Sequence, residues 1–512
     1  MFKNHPKGLL AASLANMGER FGFYTMMAIL ALFLMTKFGL DETTTGVIYS
    51  IFYASIYLLA LVGGLLADKT RNYKGIIMTG LLLMSLGYVI IAIPTPTPVP
   101  DDKFALFLSI SCFGLLVIAF GNGLFKGNLQ ALVGQMYDDP RYSKMRDSGF
   151  QLFYMFINVG AIFAPFLAVG VRNWWLEKNG FLYNADLPAL SHQYLGNTIT
   201  PEGSDRLQRL AGEMGYNGSD LATFAGDYLN AFTTGFHYAF GVAIAAMLIS
   251  LVIYLVNKNR FPDPANRNVP AADGTAAAEE MDSKEVKQRL YALFAVFAVV
   301  IFFWFSFHQN GLTLTYFAKD YTNLSQIRVN LGFATLEGAE IFQSINPFFV
   351  VFLTPIIVGF FGWLRARGKE PSTPRKIAIG MGIAALAYAV MAIGSTGLPL
   401  KSEVDSMGGL PDAARVTPWL LIGTYFILTV AELFISPLGI SFVSKVAPPK
   451  YQGIMQGAWL GATAVGNSLL LIGAIFYTSI SMTATWMVFV AACLISMFTM
   501  LAMLKWLERI AK

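Results

Sequence analysis

The chain has 512 residues, 55% of them hydrophobic and only 13% charged, and its mean hydropathy is +0.55. Soluble domains carry roughly twice that charged fraction, so a water-soluble globular protein is excluded and lipid becomes the expected solvent. The net charge of +5 is modest, and the basic residues sit in short loops rather than on one continuous face, so no nucleic-acid partner is expected.

Long apolar runs recur at the length that crosses a hydrocarbon core of roughly 30 Å. In chain order they predict spans over 9–36, 45–67, 75–93, 104–136, 149–171, 232–256, 286–317, 341–364, 376–393, 418–446, 453–477 and 482–504. The predicted fold class is an all-α membrane protein with about twelve transmembrane helices in two six-helix bundles. The start of the chain is short and basic, and the apolar run after it lasts a full span, so it predicts a first transmembrane helix rather than a cleaved leader. Cations cluster in alternate loops: Lys69, Arg71 and Lys74 after the second span, Arg141 and Lys144 after the fourth, Arg365, Arg367 and Lys369 after the eighth. This positive-inside pattern puts both termini in the cytoplasm, and the expected location is a bacterial inner membrane.

Two long connections divide the chain. Residues 1–256 form the predicted N-terminal bundle, including an extracytoplasmic insert at 173–231 that reads as a small cap. Residues 257–284, rich in Pro, Ala and charge, predict a flexible cytoplasmic linker. Asp282 and Glu285 offer an N-terminal cap for the next helix. Residues 285–512 form the C-terminal bundle. Cys112 and Cys493 lie in apolar runs at opposite ends of the chain, so no disulfide is expected. No catalytic triad, phosphate loop or metal-ligand cluster appears, so neither an enzyme nor a cofactor or metal is expected.

The chemistry lies in ionisable groups within the spans, each unfavourable there by roughly 2.5–3.5 kcal/mol on insertion scales. The first span carries NMGERFGFY, with Glu19 and Arg20 adjacent. Neighbours on a helix point about 100° apart, so these two are expected to seek partners on other helices. Asn16, Arg20, Tyr24 and Met27 share one stripe. The fourth span carries Lys126, deep enough that it is expected to meet a carboxylate such as Glu19 or that of a ligand. The tenth carries Glu432 with Ser436 and Pro437, suited to a ligand ammonium or a transferable proton. The seventh carries His308 and Gln309, and a midspan histidine is a candidate for proton or substrate work.

Together these segments resemble the proton-dependent oligopeptide transporter family of the major facilitator superfamily. ERFGFY resembles its first-helix signature, Glu-x-x-Glu-Arg-Phe-x-Tyr-Tyr, and GGLLAD resembles the superfamily's loop motif. GNGLFKGN around Lys126, RDSGFQLFYMFINVGA (146–161), FQSINPFFV with Asn346, GWLRARGKEPSTPRK, AELFISPLG and Trp459 follow in the family's order. The resemblance implies a carrier importing di- and tripeptides with protons by alternating access, working as a monomer. It implies that Lys126, with Arg20, holds the peptide carboxylate and Glu432 the ammonium. Tyr24, Tyr57, Tyr154 and Asn158 match cavity-lining positions, while Trp304 and Trp459 would supply pocket surface. Proton coupling would fall on Glu19, Arg20, Lys126, Glu432 or His308, the last standing where the family usually has an acidic residue. Three departures stand out: Asn16 replaces the first glutamate, Phe23 a tyrosine and Met27 a usual cation. They leave open an alternative, a carrier of the same fold for an unusual peptide or another small zwitterion or anion, with weaker proton coupling. The two extra helices of many bacterial relatives are absent, and the 173–231 insert is unusual for the family.

Overall fold

The structure, a computed structural model, describes residues 5–137, 139–142, 146–216, 220–262, 282–332, 334–448 and 452–510. Among these, twelve helical segments are long and apolar enough to cross a membrane. The N-terminal bundle is built from α1 (Lys7–Phe38), α2 (Glu42–Thr70), α3 (Tyr73–Ala92), α4 (Phe104–Met136), α5 (Arg146–Lys178) and α8 (Leu221–Val256). Between α5 and α8 lie two short helices, α6 (Leu187–Leu195) and α7 (Pro201–Glu213). The C-terminal bundle has α9 (Ser283–Phe307) continued by α10 (Thr313–Tyr321), then α11 (Ile345–Ala366), α12 (Thr373–Gly394) and α14 (Pro418–Val446). It closes with α15 (Gln452–Ser468) continued by α16 (Leu470–Ser479), and with α17 (Met482–Ile510). A short α13 (Lys401–Ser406) and a hairpin of β1 (Val329–Asn330) and β2 (Thr335–Leu336), paired antiparallel, lie in loops. An even number of spans leaves both chain ends on one side, the terminal end; the other is the insert end.

Sequence signals set the helix starts. Asp41 accepts from the Thr44 N–H at the head of α2, Ser372 from the Arg375 N–H before α12, and Thr417 from the Trp419 N–H before α14. Each satisfies a donor that the helix itself leaves unpaired. The expected cap at Asp282 is not made: its side chain accepts no capping bond, and Glu285 pairs with Arg289 one turn on instead. Of the expected linker, 263–281 lies outside the described residues.

Small residues set the helix contacts, as they do where no hydrophobic effect drives helices together. Gly80 and Gly87 on α3 meet the backbone of α4 at Gly121 and Gly114. Gly63 on α2 presses on Gly123: a Cβ added at Gly63 would stand 2.1 Å from the Gly123 carbonyl oxygen. Backbone cannot yield as a flexible side chain can. Gly63→Val is therefore expected to destabilise the bundle by about 1–3 kcal/mol, the usual range for overpacking. An unchanged melting temperature in detergent would contradict this close contact.

Two spans are broken, and the breaks face each other. After α9 the chain makes a 3-10 turn at His308–Gly311 before α10 resumes. Gly311 is required there, since a Cβ would lie 2.2 Å from the Tyr49 hydroxyl. Gln309 donates to the carbonyls of Phe305 (3.2 Å) and Leu470 (3.4 Å) and accepts from Thr313 (2.5 Å), tying the break to the start of α16. Freed backbone at membrane depth needs such protein partners.

The hydrogen bonds and ion pairs that cross between the bundles, among the described residues, lie toward the insert end. Arg172 on α5 pairs with Glu340 just before α11, both fully buried. Arg172 also donates to the Glu337 carbonyl (3.0 Å), and Asn173 donates to the carbonyls of Thr335 (2.6 Å) and Glu337 (2.9 Å). Glu42 at the head of α2 meets Lys401 (3.2 Å) and Lys319 (3.8 Å), while Tyr316 donates to the Glu42 carbonyl (3.1 Å). Asp320 joins Lys319 (2.9 Å), Lys401 (3.5 Å) and the Tyr477 hydroxyl (2.7 Å). Beside this network, burial raises the Asp405 carboxyl above its ordinary range against the opposing field of Lys401. A cavity of about 240 Å³ lies here under α6. The insert end is thus closed by buried, mutually paired charge.

Candidate functional site

The central site is built by α1, α2, α4 and α5 of one bundle and α9, α11, α14 and α15 of the other. On α1, Glu19 and Arg20 form a buried two-pronged ion pair, Arg20 Nη2 donating to Glu19 Oε1 at 2.5 Å and Nε to Oε2. This corrects the expectation that adjacent residues would look elsewhere. The 100° separation applies to Cβ atoms, whereas a guanidinium fork on a long stem can sweep back onto its neighbour's carboxylate. Asn122 on α4 adds a third donor to Glu19, at 2.8 Å. Arg20 also covers the Phe23 ring, 4.6 Å from its centroid.

Lys126 sits one turn beyond Asn122 and is half-buried, its ammonium 4.6 Å from the centroid of Tyr57. No carboxylate among the described residues lies within ion-pair distance of it; Glu19 is within its electrostatic range, but the expected Lys126–Glu19 bridge is absent, since Arg20 and Asn122 already hold Glu19. Opposite stands Glu432 on α14, half-buried, accepting from the Asn346 side-chain amide at 2.9 Å. The same amide reaches Thr429 at 3.0 Å. Among the described residues no cation pairs with Glu432 either.

Three tyrosines connect the two charges. Tyr24, Tyr57 and Tyr154 each lie within the electrostatic reach of Glu432, although all three belong to the other bundle. Tyr57 also touches Lys126, so one ring lies against the lysine and within the electrostatic range of the glutamate. Tyr154, about two turns from the terminal end of α5, is 54% exposed in spite of facing Glu432. Asn158 is buried and donates to the Tyr154 carbonyl on its own helix (3.2 Å).

The helix break places His308 at the edge of the site. Its Nδ1 is 2.5 Å from the side-chain oxygen of Asn467 on α15. Its ring stacks on Trp304 (centroids 4.9 Å apart, 23° between planes) and touches Tyr53 (4.9 Å). Lys126 is within its electrostatic range. The remaining expected residues lie farther back. Gln309 is fully buried and spends both ends of its amide on the helix break. Trp459 is buried against Phe297 and wedged on Gly439, where a Cβ would stand 1.9 Å from its ring. The Ser436 hydroxyl is buried without a partner among the described residues. Asn16 is buried, its amide nitrogen without a partner among the described residues, and Met27 is buried in the apolar core.

Sequence reasoning missed Asn122, Asn467 and the Arg172–Glu340 pair. Asn122 stands one turn from Lys126 inside a motif already singled out, which was the available signal. Arg172 and Glu340 sit one residue outside the predicted spans 149–171 and 341–364, where charges are ordinary.

The profile of the POT family matches residues 74–273 and 265–487. The chain belongs to the POT family. The POT relatives are transporters. One, "Peptide transporter YePEPT" of Yersinia enterocolitica subsp. palearctica, is 30% identical over 491 residues, spanning 91% of this chain and 87% of the relative. Another, "Dipeptide and tripeptide permease A" of Cronobacter turicensis, is 28% identical over 459 residues, spanning 87% and 79%. Among solved structures, a peptide transporter POT in complex with sulfate aligns with a TM-score of 0.72 at 24% identity, over 100% of this chain and 96% of that one. A POT family transporter in complex with 5-aminolevulinic acid aligns at 0.71 and 22% identity, over 100% and 98%. These likenesses establish the two-bundle major facilitator fold.

Proposed function

We propose that this POT family member imports di- and tripeptides together with protons, alternating between states open at either end. One observation carries the reading: among the described residues Lys126 has no carboxylate bonded to it and Glu432 no cation, and Tyr57, on which the lysine rests, lies within the electrostatic range of the glutamate from the opposite bundle. A peptide has one carboxylate and one ammonium, so it supplies both missing partners and draws the bundles together. In a low-dielectric site an unpaired charge is strongly unfavourable, and closure around a zwitterion removes two of them at once. The printed names of the relatives, peptide transporter and dipeptide and tripeptide permease, agree with this substrate.

The proton enters through the same logic. Protonation of Glu19 dissolves its ion pair and frees Arg20 to join Lys126 at the peptide carboxylate. Protonation of Glu432 releases the ammonium. With the termini in the cytoplasm, as the positive-inside pattern favours, the form described here, closed at the insert end by paired charge, is closed to the outside. Each monomer contains a whole site. The deciding experiment is uptake of dialanine into liposomes with a pH gradient and a membrane voltage imposed separately; uptake indifferent to the pH gradient would remove the proton from the mechanism.

Glu432→Gln keeps the bond to Asn346 but removes the charge. The apparent KM for dialanine is expected to rise about 10–100-fold, the range for a hydrogen bond to a charged group. Wild type should discriminate strongly against N-acetyl-dialanine, which lacks the ammonium, and the variant should not. Equal discrimination by both proteins would place the ammonium elsewhere.

A second reading is transport of another small zwitterion or anion. Met27, apolar and buried where a cation is usual, favours it, and one structural neighbour is seen with 5-aminolevulinic acid. Competition of dipeptides, tripeptides and free amino acids for one binding signal separates the two, since only the second reading survives if no peptide competes.

A further inference from the structure

The insert between α5 and α8 is anchored on both bundles. On its own side, the Asn184 backbone N–H donates to the Tyr228 hydroxyl of α8 (3.1 Å). The Phe181 ring packs edge-on against Tyr228 (5.5 Å), and Leu187 and Leu190 are buried. His192 Nε2 bonds the Thr36 carbonyl at the end of α1 (2.7 Å). These contacts fix the insert to the N-terminal bundle.

Its other face is bound to the end of α13 and the loop between α13 and α14. The Thr200 hydroxyl caps α7 by accepting from the Gly203 N–H (3.1 Å) and donates its own proton to the Ser406 carbonyl (2.5 Å). Arg206 donates to the carbonyls of Gly409 (3.1 Å) and Leu410 (3.2 Å). At the centre, one oxygen of the buried Asp186 accepts from Arg206 and from Arg415, each at 2.6 Å. Arg415 is held in turn by the carbonyls of Leu410 (2.9 Å) and Lys319 (3.0 Å). The loop is shaped to receive the aspartate: Gly409 has a φ of 104°, and a Cβ there would lie 2.4 Å from the Asp186 carboxyl carbon.

A cap serving one bundle alone would not need the other bundle to satisfy its buried carboxylate. Here Asp186 is shared between an arginine of the insert and an arginine of the C-terminal bundle. When the insert end opens, Arg206 can stay with Asp186, but Arg415 must lose its carboxylate. We propose that Asp186 is a positioning residue for transport: it clamps the insert helices α6 and α7 onto the C-terminal bundle, and its release from Arg415 is required for the insert end to open. The proposal rests on the alternating-access reading above. The clamp favours the closed form of this end and so sets how often substrate is admitted.

Two measurements test it in a background lacking Cys112 and Cys493. In the first, spin labels at Gln208 on α7 and Ser402 on α13 report the distance across the seam. Asp186→Asn is expected to raise the population of the separated form at least tenfold with little change in melting temperature, and Asp186→Glu to restore most of the closed form. An unchanged distance distribution in Asp186→Asn overturns the proposal. In the second, Thr200→Cys with Ser406→Cys is oxidised by copper phenanthroline. Dialanine uptake is expected to fall at least tenfold and to return on reduction, whereas full uptake by the cross-linked protein overturns the clamp. If the parent protein takes up no peptide, the substrate reading fails, but the spin-label distances still decide the clamp.

Discussion

Lys126→Ala is expected to abolish pH-gradient-driven dialanine uptake while leaving the protein folded. Lys126 is the cation of the central site with no carboxylate partner among the described residues, and its ammonium rests on the Tyr57 ring. Arg20 cannot substitute while Glu19 occupies its fork. A hydrogen bond to a charged group is worth about 1.5–3 kcal/mol, so loss of this contact alone lowers peptide affinity by one to two orders of magnitude. A second effect adds to it. Without Lys126, protonation of Glu19 exposes Arg20 alone, and the peptide carboxylate gains one cation rather than two. Uptake in a pH gradient and equilibrium binding separate the effects, because binding should weaken while gradient-driven accumulation disappears. Lys126→Arg is expected to recover only part of the function, since a planar fork cannot take the place of a compact ammonium over the Tyr57 face. Full uptake by Lys126→Ala would sink the assignment of the peptide carboxylate to this residue.

The spans and their order were legible because apolar length is a coarse property that survives errors of a few residues. The charged members of the site were legible for a related reason: Lys126 and Glu432 stand where lipid tolerates charge only for a purpose. The pairing of the charges was not legible. Glu19–Arg20 was misread because helical geometry fixes Cβ directions, while the reach of a long side chain decides the partner. Once Arg20 and Asn122 hold Glu19, Lys126 is left to a ligand, so one misread pair changes the role of the next residue. Gln309 shows the opposite error. A polar midspan residue beside His308 looked like a ligand-binding group, but the helix break it accompanies consumes its amide. Breaks of this kind leave no periodic signal in the sequence. The insert was legible as a cap, but its grip on the other bundle depends on Arg415 and Gly409, more than two hundred residues away in sequence.

Glu340→Leu is expected to produce the largest change in conformational balance. Arg172 and Glu340 are both fully removed from solvent and join the two bundles at the insert end. Arg172 is packed among Tyr183, Phe232 and Phe236, with ring centroids 4.5, 5.0 and 5.4 Å from its guanidinium carbon. These faces attract a cation but do not neutralise it. Removing one member of a buried pair typically destabilises by about 3–5 kcal/mol, because the other charge stays behind, whereas replacing both by apolar groups is often close to neutral. The arginine belongs to one bundle and the glutamate to the other, so the penalty of the single variant falls on the closed insert end. That form should lose population by more than a hundredfold, as seen by the spin labels at Gln208 and Ser402, and inward release of substrate should slow. Arg172→Met with Glu340→Leu should return most of the closed population, because the double variant leaves no orphaned charge. If the double variant opened as far as Glu340→Leu alone, the ion pair would be a true source of attraction between the bundles. If neither opened, the insert end would be held by the Asp186 clamp and the Glu42 network without it.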